Sequence, residues 1–229
     1  MDITKYLTTV NYAKGTNKQN LYIVIHYTAN NGDTALNNAK YFNTEYRGAS
    51  AHYFIDENEI VQVVDDADTA WHCGATSYTH ASCRNVNSIG IEMCSRKYSD
   101  GTYYIKDEVV NSTISLVKYL MSLYNIPSSN VVRHYDVTGK TCPAPMVLDV
   151  NLWEEFLLEI DKEEEDEMRY NQLSEVPSYA KDTILKMIDK ELLKGSGTQV
   201  DEDGYPADLD LSIDMIRVFV TMDRVGVYD

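Results

Sequence analysis

The chain has 229 residues and a formal net charge of −16, with 44% hydrophobic and 24% charged side chains. Those proportions fit a soluble globular protein with one core domain and a small second one. The acidic balance argues against a nucleic-acid partner, which needs clustered Lys and Arg, and no apolar run approaches the roughly 20 residues that span a bilayer.

From the N-terminus, residues 1–20 are polar and lack the apolar core of a secretory signal. Leu21 to Ile25 is an apolar, β-branched run that reads as a buried strand ending at His26. Asp33 is placed to cap a helix reaching about Arg47, with Leu36, Ala39 and Phe42 on its apolar face. Ala51–Ile55 and Glu59–Val63 read as two strands of a hairpin turning at Asp56-Glu57-Asn58. Ser88–Cys94 is a further short strand. Between Asp107 and Asn125, Val110, Ile114, Val117, Met121 and Tyr124 recur at three and four, the period of an amphipathic helix. Val131-Val132 is a short strand leading to His134, and Leu152–Ile160 is a last helix burying Trp153, Phe156 and Leu157. Helices alternating with strands predict an α/β domain, and the hairpin makes its central sheet mixed.

Asp161 to Glu167 holds six acids and one lysine, a composition that marks a solvated boundary. The expected division is a domain over 1–160, an acidic linker over 161–169 and a small helical module over 170–229. Residues 1–160 hold 12 basic and 18 acidic side chains, whereas 161–229 hold 8 and 18. In the module, Val176, Ala180, Ile184, Ile188 and Leu192 step by four along a helix with Pro177 in its first turn and Gly195 beyond its end. A polar loop follows, then Ser212 as the cap of a second helix burying Met215, Ile216, Phe219 and Val220.

Three residues at strand ends and loops carry chemistry. His26 and His134 each follow a strand, and Cys142 stands eight residues after His134 in Lys140-Thr141-Cys142-Pro143. Two imidazoles and a thiolate make a zinc set with a fourth position left for water. Residue type and spacing alone leave open the plainer reading of hydrogen-bonded histidines and a buried thiol. The other cysteines, Cys73, Cys83 and Cys94, match no paired metal motif and read as buried or free thiols. Cys73 and Cys83 flank a polar loop and could approach each other, which sequence does not establish.

The strings Ile25-His26-Tyr27-Thr28-Ala29, Ser50-Ala51-His52-Tyr53-Phe54, Ala70-Trp71-His72-Cys73-Gly74, Ser88-Ile89-Gly90-Ile91-Glu92 and His134 to Cys142-Pro143 occur in one order. Over residues 20–160 the chain resembles the type 2 N-acetylmuramoyl-L-alanine amidases. That family includes phage and bacterial cell-wall lytic enzymes and is related to peptidoglycan recognition proteins. The resemblance implies a mixed sheet flanked by helices and Zn2+ as cofactor, with His26, His134 and Cys142 as metal ligands. It further implies Glu92 as catalytic carboxylate, Lys140 as stabiliser of negative charge, and Trp71 and His72 along the substrate groove. Some branches carry tyrosine where His52 stands and lack the glutamate. His52 is accordingly ambiguous between a structural or supporting role and a catalytic one, and it is grouped with the substrate residues.

The implied activity is hydrolysis of the amide between N-acetylmuramic acid and L-alanine in bacterial peptidoglycan. The polar N-terminus then points to a bacteriolytic endolysin made in the cytoplasm and released to the wall, rather than a secreted autolysin. A non-catalytic peptidoglycan-binding protein of the same fold is the competing reading, and retention of the ligands with Glu92 and Lys140 argues against it. Residues 170–229 resemble, less specifically, a C-terminal wall-attachment module of some endolysins.

Overall fold

The computed structural model describes residues 2–15, 18–162, 169–197 and 199–228. Their contacts fall into two compact units, Met1–Lys162 and Glu163–Asp229. The acidic run expected as a linker lies for the most part over 163–168, outside the described residues.

In the first unit, strands β1 (Ile3–Lys5), β2 (Tyr22–Tyr27), β3 (Tyr53–Ile55), β4 (Ile60–Gln62), β5 (Ser88–Met93) and β8 (Val131–Arg133) form one sheet in the order β1-β4-β3-β5-β2-β8. A separate small hairpin pairs β6 (Arg96–Lys97) with β7 (Tyr103–Tyr104). The sheet is mixed as expected, because β3 and β4 are antiparallel while β5, β2 and β8 run parallel. The turn between β3 and β4 is held by Asp56, whose Oδ1 accepts the Asn58 and Glu59 backbone N–H groups at 2.7 and 3.0 Å. Its Oδ2 accepts the Ala35 N–H at 2.7 Å, which ties the hairpin to the start of the first helix.

Helix α1 spans Ala35–Thr44, and its cap is Thr34, whose hydroxyl accepts the Asn37 N–H. The expected cap, Asp33, instead takes hydrogen bonds from Thr28, Asn30 and Asn38. Both residue types cap well, and the competition is settled by these neighbours. Helix α2 (Asp107–Tyr124) buries Val109, Thr113, Leu116, Val117 and Leu120. Its buried face is centred a little to one side of the predicted stripe. Val110, Ile114, Met121 and Tyr124 flank it, half-buried against the same core. Fully burying Leu116 and Leu120 contributes about 1.5–3 kcal/mol each. The helix ends at Asn125, which takes the left-handed conformation.

Strand alternation divides the apolar residues between the two sheet faces. Ile23 and Ile25 of β2 and Ile89 and Ile91 of β5 meet α2 and α5 (Val150–Asp161) on one face. Val24 turns to the other face and packs with Cys73, Cys83, Val132 and Val137. Two short helices, α3 (His134–Thr138) and α4 (Ala144–Leu148), fill the connection from β8 to α5.

The second unit is built on α6 (Lys181–Asp189) and α7 (Ile213–Arg224). Its core gathers Leu173, Val176, Ala180, Ile184, Met187, Leu209, Leu211, Ile216 and Val220. Asp223 accepts from Thr183 at 2.7 Å and Lys186 at 2.8 Å, joining the helices, and Ser212 caps α7 as expected. Helix α6 is shorter than its apolar pattern. Val176 and Ala180 are buried in the preceding turn, and the chain leaves the helix before Glu191, whose φ is 58°. Leu192 is consequently exposed.

Candidate metal centre

Three parallel strands deliver polar residues from their carboxyl ends. In the ladder between β2 and β5, Tyr22 pairs with Ser88, Val24 with Gly90 and His26 with Glu92. Paired residues of a parallel ladder point to the same face, so His26 and Glu92 stand side by side, opposite the isoleucine core. β8 runs beside β2 on its other edge, with Ile25 paired to Arg133, and His134 follows at once as the first residue of α3. Open α/β sheets place their ligands at these carboxyl ends.

Cys142 is returned to this point by a tight excursion. α3 ends at Gly139, whose φ of 80° suits a residue without a side chain, and its N–H bonds the Tyr135 carbonyl. The Cys142 carbonyl then accepts the Tyr135 N–H at 2.9 Å, closing the loop back on the helix start. Arg133 stiffens the base of this loop. Its side chain donates to both oxygens of Asp136 and to the Met146 carbonyl.

The ligand atoms of His26, His134 and Cys142 lie within 4.8 Å of one another, and all three residues are buried. Cys142 Sγ is 3.8 Å from His26 Nδ1. Tetrahedral bonds to sulfur and nitrogen put those atoms about 3.5 Å apart. His134 Nδ1 is buried with no hydrogen-bond partner, as is Glu92 Oε2. Buried polar atoms are rarely left so, and a cation held by His26, His134 and Cys142 would satisfy the first of them. Burial, with the charges of neighbouring histidines and Lys140, pushes His26 well below its ordinary range, and similar forces lower His134 to about 4. Both imidazoles are therefore neutral and able to ligate. Burial raises the Cys142 thiol to about 12, so the metal-free site holds a proton on sulfur that binding would release. The donor set suits a soft, four-coordinate divalent cation.

Burial also pushes the Glu92 carboxyl up to about 8, against the pull of Lys140 and with a further push from Asp33. Glu92 opens on a cleft of about 500 Å³ lined by Thr28, Asp33, Asn38 and Phe54 among others. His134, Lys140, Trp71 and His72 line another of about 730 Å³. Lys140 is exposed at that rim, and Trp71 meets Tyr46 edge to face with ring centroids 5.8 Å apart.

His52 departs from the substrate grouping. It is wholly buried, and its Nδ1 accepts the Gly90 N–H at 3.0 Å while Lys18 Nζ lies 2.9 Å from its Nε2. Its ring has no surface for a substrate to meet and braces β5 from within. His72 lines the cleft and also reaches the ligand set, with its Nδ1 3.0 Å from His26 Nε2. Ser88 and Gly90, which underlie His72, were given no role from sequence. The period-two alternation that puts them on the Glu92 face was the available signal. The four cysteines are free, and Cys73 and Cys83 share one buried cluster.

Comparison with known proteins gives a consistent result. A family model described as N-acetylmuramoyl-L-alanine amidase matches residues 16–145, more than half of the chain. The amidase CwlL of Bacillus licheniformis is 37% identical over 148 residues, covering 61% of this chain and 40% of that protein. The chain thus matches less than half the length of this curated relative. The structure of PlyL superposes with a TM-score of 0.59 at 30% identity, covering 70% of this chain and 97% of PlyL. The catalytic domain of XlyA gives 0.58 at 30% identity, over 70% of this chain and 99% of that domain.

Proposed function

Because the chain belongs to the N-acetylmuramoyl-L-alanine amidase family, we propose that its first unit hydrolyses the amide joining N-acetylmuramic acid to L-alanine in bacterial peptidoglycan, with zinc held by His26, His134 and Cys142. The observation that carries this reading is the convergence of those three ligand atoms beside Glu92, one of whose carboxylate oxygens is buried and unpartnered. When bound, zinc supplies an acidified water and polarises the scissile carbonyl.

The chain's own residues supply the rest. Glu92 takes the proton of the attacking water and returns it to the leaving amine. The Lys140 ammonium faces the negative charge that grows on the carbonyl oxygen. Trp71 offers a flat apolar wall against which a sugar or lactyl group can lie, in the cleft shared with His134 and Lys140.

We assign the second unit to attachment on the wall. Its strong acidity favours a neutral glycan or peptide over an anionic wall polymer. Among the described residues no helix is long and apolar enough to cross a membrane. The activity is tested on purified cell walls by counting newly exposed L-alanine amino termini, before and after chelation and zinc return. Termini released only with zinc support the reading. Release of reducing sugar ends instead of amino termini would replace an amidase by a glycosidase.

A further inference from the structure

The imidazole of His72 lies flat across β5. A Cβ built on Gly90 would come within 2.4 Å of His72 Cγ, 2.7 Å of Nδ1 and 2.8 Å of Cδ2. No L side chain fits there, so Gly90 is a slot for this ring. Ser88 and Glu92 flank Gly90 along the same face, and His26 is the residue paired with Glu92. The ring bridges that face diagonally. Its Nε2 is 3.2 Å from Ser88 Oγ, and its Nδ1 is 3.0 Å from His26 Nε2. The backbone that carries it is pinned as well, since Asn85 Oδ1 accepts the N–H groups of His72 and Cys73 at 3.2 and 2.8 Å.

The proton order in this chain follows from one end. Ser88 Oγ donates to the Arg84 carbonyl at 2.7 Å. A carbonyl only accepts, so the single hydroxyl proton is spent there, and Ser88 can only accept from His72. A neutral His72 then carries its proton on Nε2 and offers a lone pair at Nδ1. His26 must donate its Nε2–H into that lone pair. The remaining nitrogen, His26 Nδ1, is left bare, and this is the atom 3.8 Å from Cys142 Sγ.

We propose that His72, seated on Gly90 and oriented by Ser88, is a positioning residue that fixes the tautomer of His26 so that Nδ1 is always free to bind the metal. The inference rests on the zinc reading above for its purpose, although the tautomer exists without metal. Ligating histidines commonly donate their second nitrogen to a carboxylate, carbonyl or water. Here the acceptor is another imidazole, whose own direction is set by a serine and a main-chain carbonyl.

The test uses the full chain with 15N-labelled histidine, stripped of metal. The His26 nitrogen shifts should report the Nε2–H form in the parent. In His72→Leu, which removes the acceptor, the Nδ1–H form should rise, and zinc affinity should fall by about 10- to 100-fold, the usual cost of an outer-shell partner. Asparagine keeps an acceptor near the place of Nδ1, so His72→Asn should restore most of both. Ser88→Ala is the milder second variant, with His26 and His72 both shifting toward mixed tautomers. An Nδ1–H form of His26 in the parent, or a leucine variant that matches the parent in both tautomer and zinc affinity, would overturn the proposal. A parent that binds no zinc would sink the metal reading alone, because the tautomer populations still decide this one.

Discussion

Residues Met1–Lys162 bury His26, His52, His134, Asp56 and Asp66 along with the apolar core, whereas in Glu163–Asp229 the buried polar residues among those described are Thr183 and Ser212. Both of the latter are spoken for, one by Asp223 and one as a helix cap. Among the described residues the buried atoms without a partner are Asn20 Oδ1, Glu92 Oε2 and His134 Nδ1 in the first unit and Asp208 Oδ1 in the second. Leaving such an atom unmade costs about 1–3 kcal/mol. A six-stranded sheet covered by helices can sustain that cost. The two units therefore differ less in having such atoms than in where they stand: those of the first unit include His134 Nδ1 and Glu92 Oε2, on residues gathered at the carboxyl ends of β8 and β5 near His26 and Cys142.

The sharpest way to break this contrast is to remove the thiol. Cys142→Ser should lose zinc on desalting and wall hydrolysis with it, since a ligand matters more than the outer partners whose loss costs about 10- to 100-fold in affinity. Metal analysis and amino-terminus release check it together. Full occupancy with unchanged turnover would make the unpartnered groups a mere packing defect. Glu92→Gln should come next. It keeps volume and should keep zinc and melting temperature, while turnover falls on the order of 10²- to 10⁴-fold. A variant within twofold of the parent removes Glu92 from the chemistry.

Cutting after Lys162 tests the division of labour. The truncated protein should fold, bind zinc and cleave soluble muropeptides within about twofold of the full chain, while activity on intact walls drops about tenfold or more through lost local concentration. Equal losses on both substrates would count against wall attachment. The smallest effects belong to the second unit's own stability. Ile184→Ala should cost it about 2–5 kcal/mol and Ser212→Ala about 1 kcal/mol. Neither should move the unfolding of the first unit, read by calorimetry, or its rate on soluble fragments. A common shift in both transitions would show one cooperative core.

Continuous apolar runs made β2 and β5 legible, and apolar residues at helical spacing made α2 and α5 so, because each buries enough side chains to leave a trace. β1 and the β6–β7 hairpin left none. Three residues at a sheet edge and two-residue strands are too short for a pattern. The ligand trio was legible as residue types and order, but its convergence depends on the parallel pairing of β2 with β8 and on the turn at Gly139. His52 and His72 show the limit most clearly. In sequence each is a histidine beside an aromatic residue. In space their rings stand 5.7 Å apart, His52 fully buried with Nδ1 on the Gly90 N–H and His72 lying over Gly90 at the cleft, a difference that no local sequence pattern records.

The pairing of His26 with Glu92 has a consequence for altering this protein. Neighbouring strands stand about 4.8 Å apart, whatever their side chains, so the gap between donor and carboxylate is gauged by main-chain hydrogen bonds. Loops around the clefts can be exchanged to retarget the substrate without resetting that gauge. A one-residue slip of β5 cannot be absorbed, because it would send Glu92 into the isoleucine layer and bring Ile91 to the metal.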